Sequence, residues 1–253
     1  MKKMKKVLAL TACAAMLVVG SVAGTLAYLT AQDTVTNTFT VGKVKIALDE
    51  ADVDEYGQLL YKDDEKTELN DRVKANGYKL VPGCTYTKDP TVTVEEKSEE
   101  AYVYMTVTVD YYNNLISVLP NDGETKKYYN GNVFLLQYLC DWKANSPWKY
   151  KGCEVKNVES GRQTAEYRFV YDKDTSTNVA IEPTAYSDSE TKLPPLFKTI
   201  NLPGEYVNSD NIATLAPVAI HVNAYAVQKA SFDDYNKAWA AGFGTSDTDV
   251  FDK

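Results

Sequence analysis

The sequence predicts an all-β protein built from antiparallel strands, closed by one short helix near its C-terminal end. Three observations carry this. AYVYMTVTVDYY and LAPVAIHVNAYAVQ each alternate in side-chain character over about ten residues, the period of a strand. WKYKGCEVKNVESGRQTAEYRFVYD holds two such runs around Ser160-Gly161, the pattern of a hairpin. Helical periodicity with a cap is clear only in SFDDYNKAWAAGFG.

The first residues, MKKMKKVLALTACAAMLVVGSVAGTLA, read as a secretory signal peptide, residues 1–27: four lysines, an apolar core, then small residues. Thr25 and Ala27 occupy the small −3 and −1 positions, so cleavage between Ala27 and Tyr28 is expected. The run from Val7 to Val19 is short for a membrane span of ~20 residues. LTAC, Leu10–Cys13, also fits a lipoprotein box, but the apolar core continues beyond Cys13. The remaining 226 residues suffice for one large domain with a full core, residues 28–253. Loss of four lysines and no acids changes the formal charge from −8 to −12. Such an exported acidic chain is a poor partner for nucleic acid or for anionic membrane.

Residues 28–48 form a leader and a candidate donor strand. Tyr28 to Asn37 is polar and aperiodic. In TFTVGKVKIAL, Phe39 and Val41 share one face, and Val44, Ile46 and Leu48 continue it after a parity change at Gly42, where a bulge is expected. Asp49 to Gly77 is rich in acids and reads as an exposed insertion, with a short helix expected around Lys66 to Lys74. Asp52, Asp54 and Gly57 match three positions of a calcium loop, but Tyr56 stands where an oxygen ligand is needed, so a solvated loop is expected.

Pro82-Gly83 predicts a turn, with strands on both sides of Asp89-Pro90 and Pro90 at a strand start. In AYVYMTVTVDYY, Val103, Met105, Val107 and Val109 form the core face, and Tyr102, Tyr104, Thr106 and Thr108 a wet one. VFLLQYL, residues 133–139, fits a buried strand or a short helix. LPPLFKTINLP is extended and covers a core edge. Val218, Ile220, Val222, Ala224 and Ala226 alternate in the last strand, with His221 on its polar face. In the final helix Ser231 is the expected N-cap, Phe232, Tyr235 and Trp239 share a face, and Gly242 is the stop.

Catalytic patterns are scarce. The chain has one histidine, His221, and no HExxH pair, so a zincin would lack its ligands and base. No nucleophile elbow surrounds Cys84, Cys140 or Cys153, and no Gly-rich phosphate loop is present. A bridge between Cys140 and Cys153 is conceivable, although isolated buried thiols are the simpler reading. The residues point to no catalytic group, metal or cofactor. Nineteen tyrosines admit a sugar-binding platform, but tyrosine is also a common strand residue.

GTLAYLT followed by NTFTVGKVKI, together with VPGCTYTKDPTVTV, SEEAYVYMTVTV, PLFKTINLP, IHVNAYAVQ and FDDYNKAWAA, resembles the TasA and camelysin family of Gram-positive bacteria. These are exported proteins with a SipW-type signal peptide. Lys229-Ala230-Ser231 departs from the Ala-Asp-Gly common in that family, as does Cys84 in the PG turn. The resemblance implies a jelly-roll-like β-sandwich and processing by a SipW-type signal peptidase. It also implies one of two activities. The first is a secreted subunit of cell-surface or biofilm-matrix fibres that self-associates by N-terminal strand donation. There Phe39, Val41, Val44, Ile46 and Leu48 are the expected interface, the protein is extracellular or at the cell surface, and no membrane contact persists after cleavage. The second is a camelysin-like surface metallopeptidase.

Overall fold

A computed structural model describes residues 44–120, 136–172, 189–232 and 234–243. Within them, most regular structure is antiparallel β-sheet. The strands are β1 (Ile46–Asp49), β2 (Thr85–Thr87), β3 (Thr91–Val94), β4 (Ala101–Asp110), β5 (Trp148–Glu159), β6 (Arg162–Tyr171), β7 (Thr191–Lys192), β8 (Thr199–Asn201) and β9 (Ala219–Gln228). Three short α-helices accompany them, α1 (Tyr112–Ser117), α2 (Leu136–Leu139) and α3 (Tyr235–Phe243), with 3₁₀ turns at Ile212–Leu215 and Lys229–Ser231. The strand orders are β1-β3-β7, β2-β8 and β5-β6-β4-β9. The expected all-β class is borne out at this level.

The largest sheet follows from the clearest patterns. β4 pairs with β6 on one side, Met105 opposite Phe169, and with β9 on the other, Val107 opposite Val222. The β5–β6 hairpin turns at Ser160 and Gly161, whose φ of +78° suits glycine. Val103, Met105, Val107 and Val109 join Phe169, Tyr167 and Trp148 in the main core. Val92 and Val94 of β3 and Tyr86 of β2 belong to the same core, so all three sheets share it. LPPLFKTINLP supplies Leu193, Leu196, Phe197 and Leu202 to its edge, as its sequence suggests.

Several expectations need correction. The Tyr/Thr face of β4 is not wet: Tyr102, Tyr104 and Thr106 are at most 2% exposed. A second apolar cluster covers the two tyrosines, with Phe232, Tyr235, Ala238 and Trp239 packed over Tyr102, Tyr104 and Val170. The Tyr104 hydroxyl donates to the Tyr235 carbonyl at 2.6 Å, and its ring meets Trp239 edge-on at 5.1 Å. A helix about 130 residues downstream thus dries a face that the local pattern leaves polar.

The cap of that helix is Asp234, whose carboxylate accepts from the backbone N–H groups of Asn236 (2.6 Å) and Lys237 (3.1 Å). Ser231 instead closes a preceding 3₁₀ turn, and the helix runs through Gly242 to Phe243. No room exists for a side chain at Gly242, where an added Cβ would lie 2.7 Å from Val227. VFLLQYL becomes the helix α2 over its last four residues, its first three lying outside the described residues.

The acidic insertion contains no helix. It is a meander held by isolated bridges, Glu50 to Val73, Val53 to Leu59 and Tyr61 to Leu69. The Arg72 guanidinium anchors it by bonding Asp49, Asp89 (2.8 Å), the Asp89 carbonyl (3.0 Å) and Thr91 Oγ1 (2.9 Å). Glu50 and Val53 are buried there, so the insertion carries more core than its composition suggests. Asp54 accepts N–H bonds from Tyr56 and Gln58, the work of a turn-forming side chain. All three described cysteines are free, and burial pushes the thiols of Cys140 and Cys153 up to about 12.

Candidate functional site

Of the sequence-derived site residues, Ala27, Tyr28, Phe39 and Val41 lie outside the described residues. Val44 is half-buried just ahead of β1. Ile46 and Leu48 lie within β1, opposite Val94 and Val92 of the same chain, and pack on the main core. The C-terminal end of the candidate donor strand is therefore part of its own sheet. Two-residue alternation correctly puts Ile46 and Leu48 on one face, but it does not tell which chain supplies the partner strand.

Beside β1 runs a groove of about 710 Å³. Leu48 to Glu50 form part of one wall, Val218 to Asn223 part of another, and Leu115, Leu139, Leu202 and Leu215 are among the apolar residues between them. Both walls include sheet edges. β9 ends the order β5-β6-β4-β9 and β1 ends the order β1-β3-β7. Among the described residues no strand pairs with the outer side of β9.

The direction of the edge backbone groups follows from the ladder. Lys229 N–H donates to the Glu100 carbonyl at 2.8 Å, so these two residues face each other. Antiparallel alternation then turns the odd-numbered residues of β9 toward β4, and Ile220, Val222 and Ala224 toward the open edge. Their side chains meanwhile pack half-buried against the core. For β1, the Val92 carbonyl accepts from Leu193 N–H on the β7 side. Its partner Leu48 must then direct its own N–H and C=O away from β3.

Polar groups gather at the β1 end of the groove. Glu50 and Lys88 form an ion pair of 2.7 Å with side chains only 7% and 12% exposed. Asn76 Nδ2 donates to Glu50 Oε1 at 3.0 Å and to the Ala51 carbonyl at 2.8 Å. Tyr78 donates to the Thr87 carbonyl at 3.0 Å, and burial raises its phenol pKa first, with Glu50 adding to the effect. These groups satisfy one another within the chain. The rest of the groove offers apolar side chains and sheet edges, an arrangement suited to an extended peptide.

His221 is exposed on β9 and lines the groove. Among the described residues no three His, Cys, Asp or Glu side chains gather as a metal site. Nearby, Asp110 accepts two bonds from Arg162, 2.8 Å and 2.6 Å, and the guanidinium holds its carboxyl below the usual carboxylate range. Tyr86, Tyr102, Tyr104, Tyr112 and Tyr167 are buried and contribute nothing to a sugar-binding surface. No described helix is long and apolar enough to cross a membrane.

The groove was not legible in the sequence. Its walls come from segments more than a hundred residues apart, and alternation marks a strand without saying whether it lies at an edge. Compared with protein-family models, curated proteins and solved structures, the chain matches none.

Proposed function

We propose that this chain is a secreted structural subunit of a bacterial cell-surface or matrix fibre, assembled by donation of an N-terminal strand into the groove beside β9. The observation that carries the reading is an apolar groove lined by an edge of β9 with which no strand among the described residues pairs. Main-chain bonds to Ile220 and Val222 would supply affinity, and the apolar floor would set register. The occupant is residues 34–44 of a second copy, TVTNTFTVGKV, with Phe39 and Val41 on one face. After removal of residues 1–27, residues 28–43 remain ahead of the described part and of β1, and they include the alternating Phe39 and Val41. The pairing of Ile46 and Leu48 with β3 limits donation to residues upstream of β1.

The same reading includes removal of residues 1–27 by a SipW-type signal peptidase, export, and a jelly-roll-like sandwich of the TasA and camelysin kind. It assigns no catalytic group, metal or cofactor. Cleaved protein should form filaments, seen by electron microscopy and sedimentation. Chain still carrying the leader should remain monomeric, and filaments of equal yield from it would count against a free N-terminus as the trigger.

A further inference from the structure

The outer edge of β1 is covered by a short piece of the acidic insertion. Glu50 and Val73 exchange both backbone bonds, 2.9 and 2.8 Å. One residue further, Lys74 Nζ donates to the outward Leu48 carbonyl at 2.6 Å. Arg72 fixes this piece from behind through Asp49, Asp89 and Thr91, and Asn76 fixes it from the other end through Glu50 and Ala51. Arg72 to Asn76 therefore lies along β1 as a stitched cover. Lys74 and Leu48 both line the groove.

These contacts are unequal. Val73 is held by paired backbone bonds and Arg72 by two carboxylates. Lys74 is exposed, and among the described residues its ammonium pairs with no carboxylate. It donates to the Leu48 carbonyl from the end of a flexible four-carbon stem. A charged side chain laid over an open sheet edge opposes strand addition, because an incoming strand must desolvate or displace it.

We propose that Lys74 is an edge guard: it occupies the Leu48 carbonyl and disfavours entry of a second copy's N-terminal strand into the groove. Entry requires the lysine to swing outward, while the Arg72–Val73 cover stays in place. The guard thus sets a threshold concentration for self-association. This rests on the reading of the groove as a strand acceptor.

The test uses the full chain and a fluorescent peptide of residues 34–44, with binding followed by anisotropy. Lys74→Met keeps the aliphatic stem and removes the charge, whereas Lys74→Arg keeps a donor. The methionine variant should bind the peptide ~3–10-fold more tightly than wild type, the scale of one exposed charge-assisted bond. The arginine variant should bind as wild type does. Thermal unfolding of all three should coincide, since the lysine is exposed. If wild type binds and Lys74→Met binds equally or more weakly, the guard is wrong and the acceptor groove survives. If neither binds, the acceptor groove is wrong and the guard falls with it.

Discussion

Proline at Val222 separates the fold from the assembly. The backbone N–H of Val222 points to the open edge of β9, so a proline there removes no bond to β4. Its cost to the isolated chain is about 1–2 kcal/mol, from backbone strain and from the lost half-buried valine. Against an incoming strand the same change removes one ladder bond, ~0.5–1.5 kcal/mol, and places a ring where the strand must approach. The threshold concentration for filaments should rise about tenfold or more. The comparison is Asn223→Pro, one residue away. Asn223 faces Thr106 across the ladder, so that proline removes a bond to the central strand and should cost ~3 kcal/mol or more of stability. Urea unfolding followed by circular dichroism gives the first quantity, and sedimentation of cleaved protein the second. A Val222→Pro protein that remains folded and assembles at the wild-type threshold would refute the role of this edge.

Three further outcomes follow from the described contacts. Arg72→Met leaves Asp49 and Asp89, each about one-fifth exposed, without their shared cation, and should cost about 2–3 kcal/mol. It should also speed hydrogen exchange at the Val73 amide, and a change under ~0.5 kcal/mol would show that the insertion is not clasped there. Trp239→Ala strips a ring from both Tyr104 and Tyr225 and should cost about 2–4 kcal/mol in thermal unfolding; an unchanged midpoint would mean that α3 does not hold the outer face of β4. Arg162 lowers the Asp110 pKa in the folded chain, so this pair stabilises above the unfolded value near ~3.9 and the contribution is lost as pH falls through the folded value. Arg162→Met should therefore flatten the acid limb of the stability profile below about pH 4, and an unchanged limb would contradict the linkage.

How much could be read from the sequence depended on whether the deciding contact was local. The strands Ala101–Asp110 and Ala219–Gln228 and the hairpin at Ser160-Gly161 follow from two-residue alternation and turn chemistry. The wet face assigned to Tyr102 and Tyr104 failed because its cover, Trp239 and Tyr235, arrives from the far end of the chain. Lys66 to Lys74 has helix-compatible composition, yet Arg72 bonds Asp49 of β1 and Thr91 of β3 while Val73 bridges to Glu50, and tertiary pairing outweighs a weak local propensity. Ser231 and Asp234 are both legitimate caps, and only the position of Tyr235 over Tyr104 selects the second. Alternation places Ile46 and Leu48 on one face, and both pack on the core, but periodicity does not reveal their pairing with β3 of the same chain. The groove required knowing that β9 has no second neighbour among the described strands, a property of topology.

The central claim, donation of residues upstream of β1 into the β9 groove, is tested most directly by removing those residues and nothing else. Deleting Tyr28 to Lys43 leaves β1 and its ladder with β3 intact, so the remaining chain should fold with the wild-type midpoint. Electron microscopy and sedimentation of this protein, beside cleaved wild type, then decide the matter. A folded monomer that forms no filaments, while wild type does, is the predicted result; a folded deletion protein that still assembles into filaments would contradict the account.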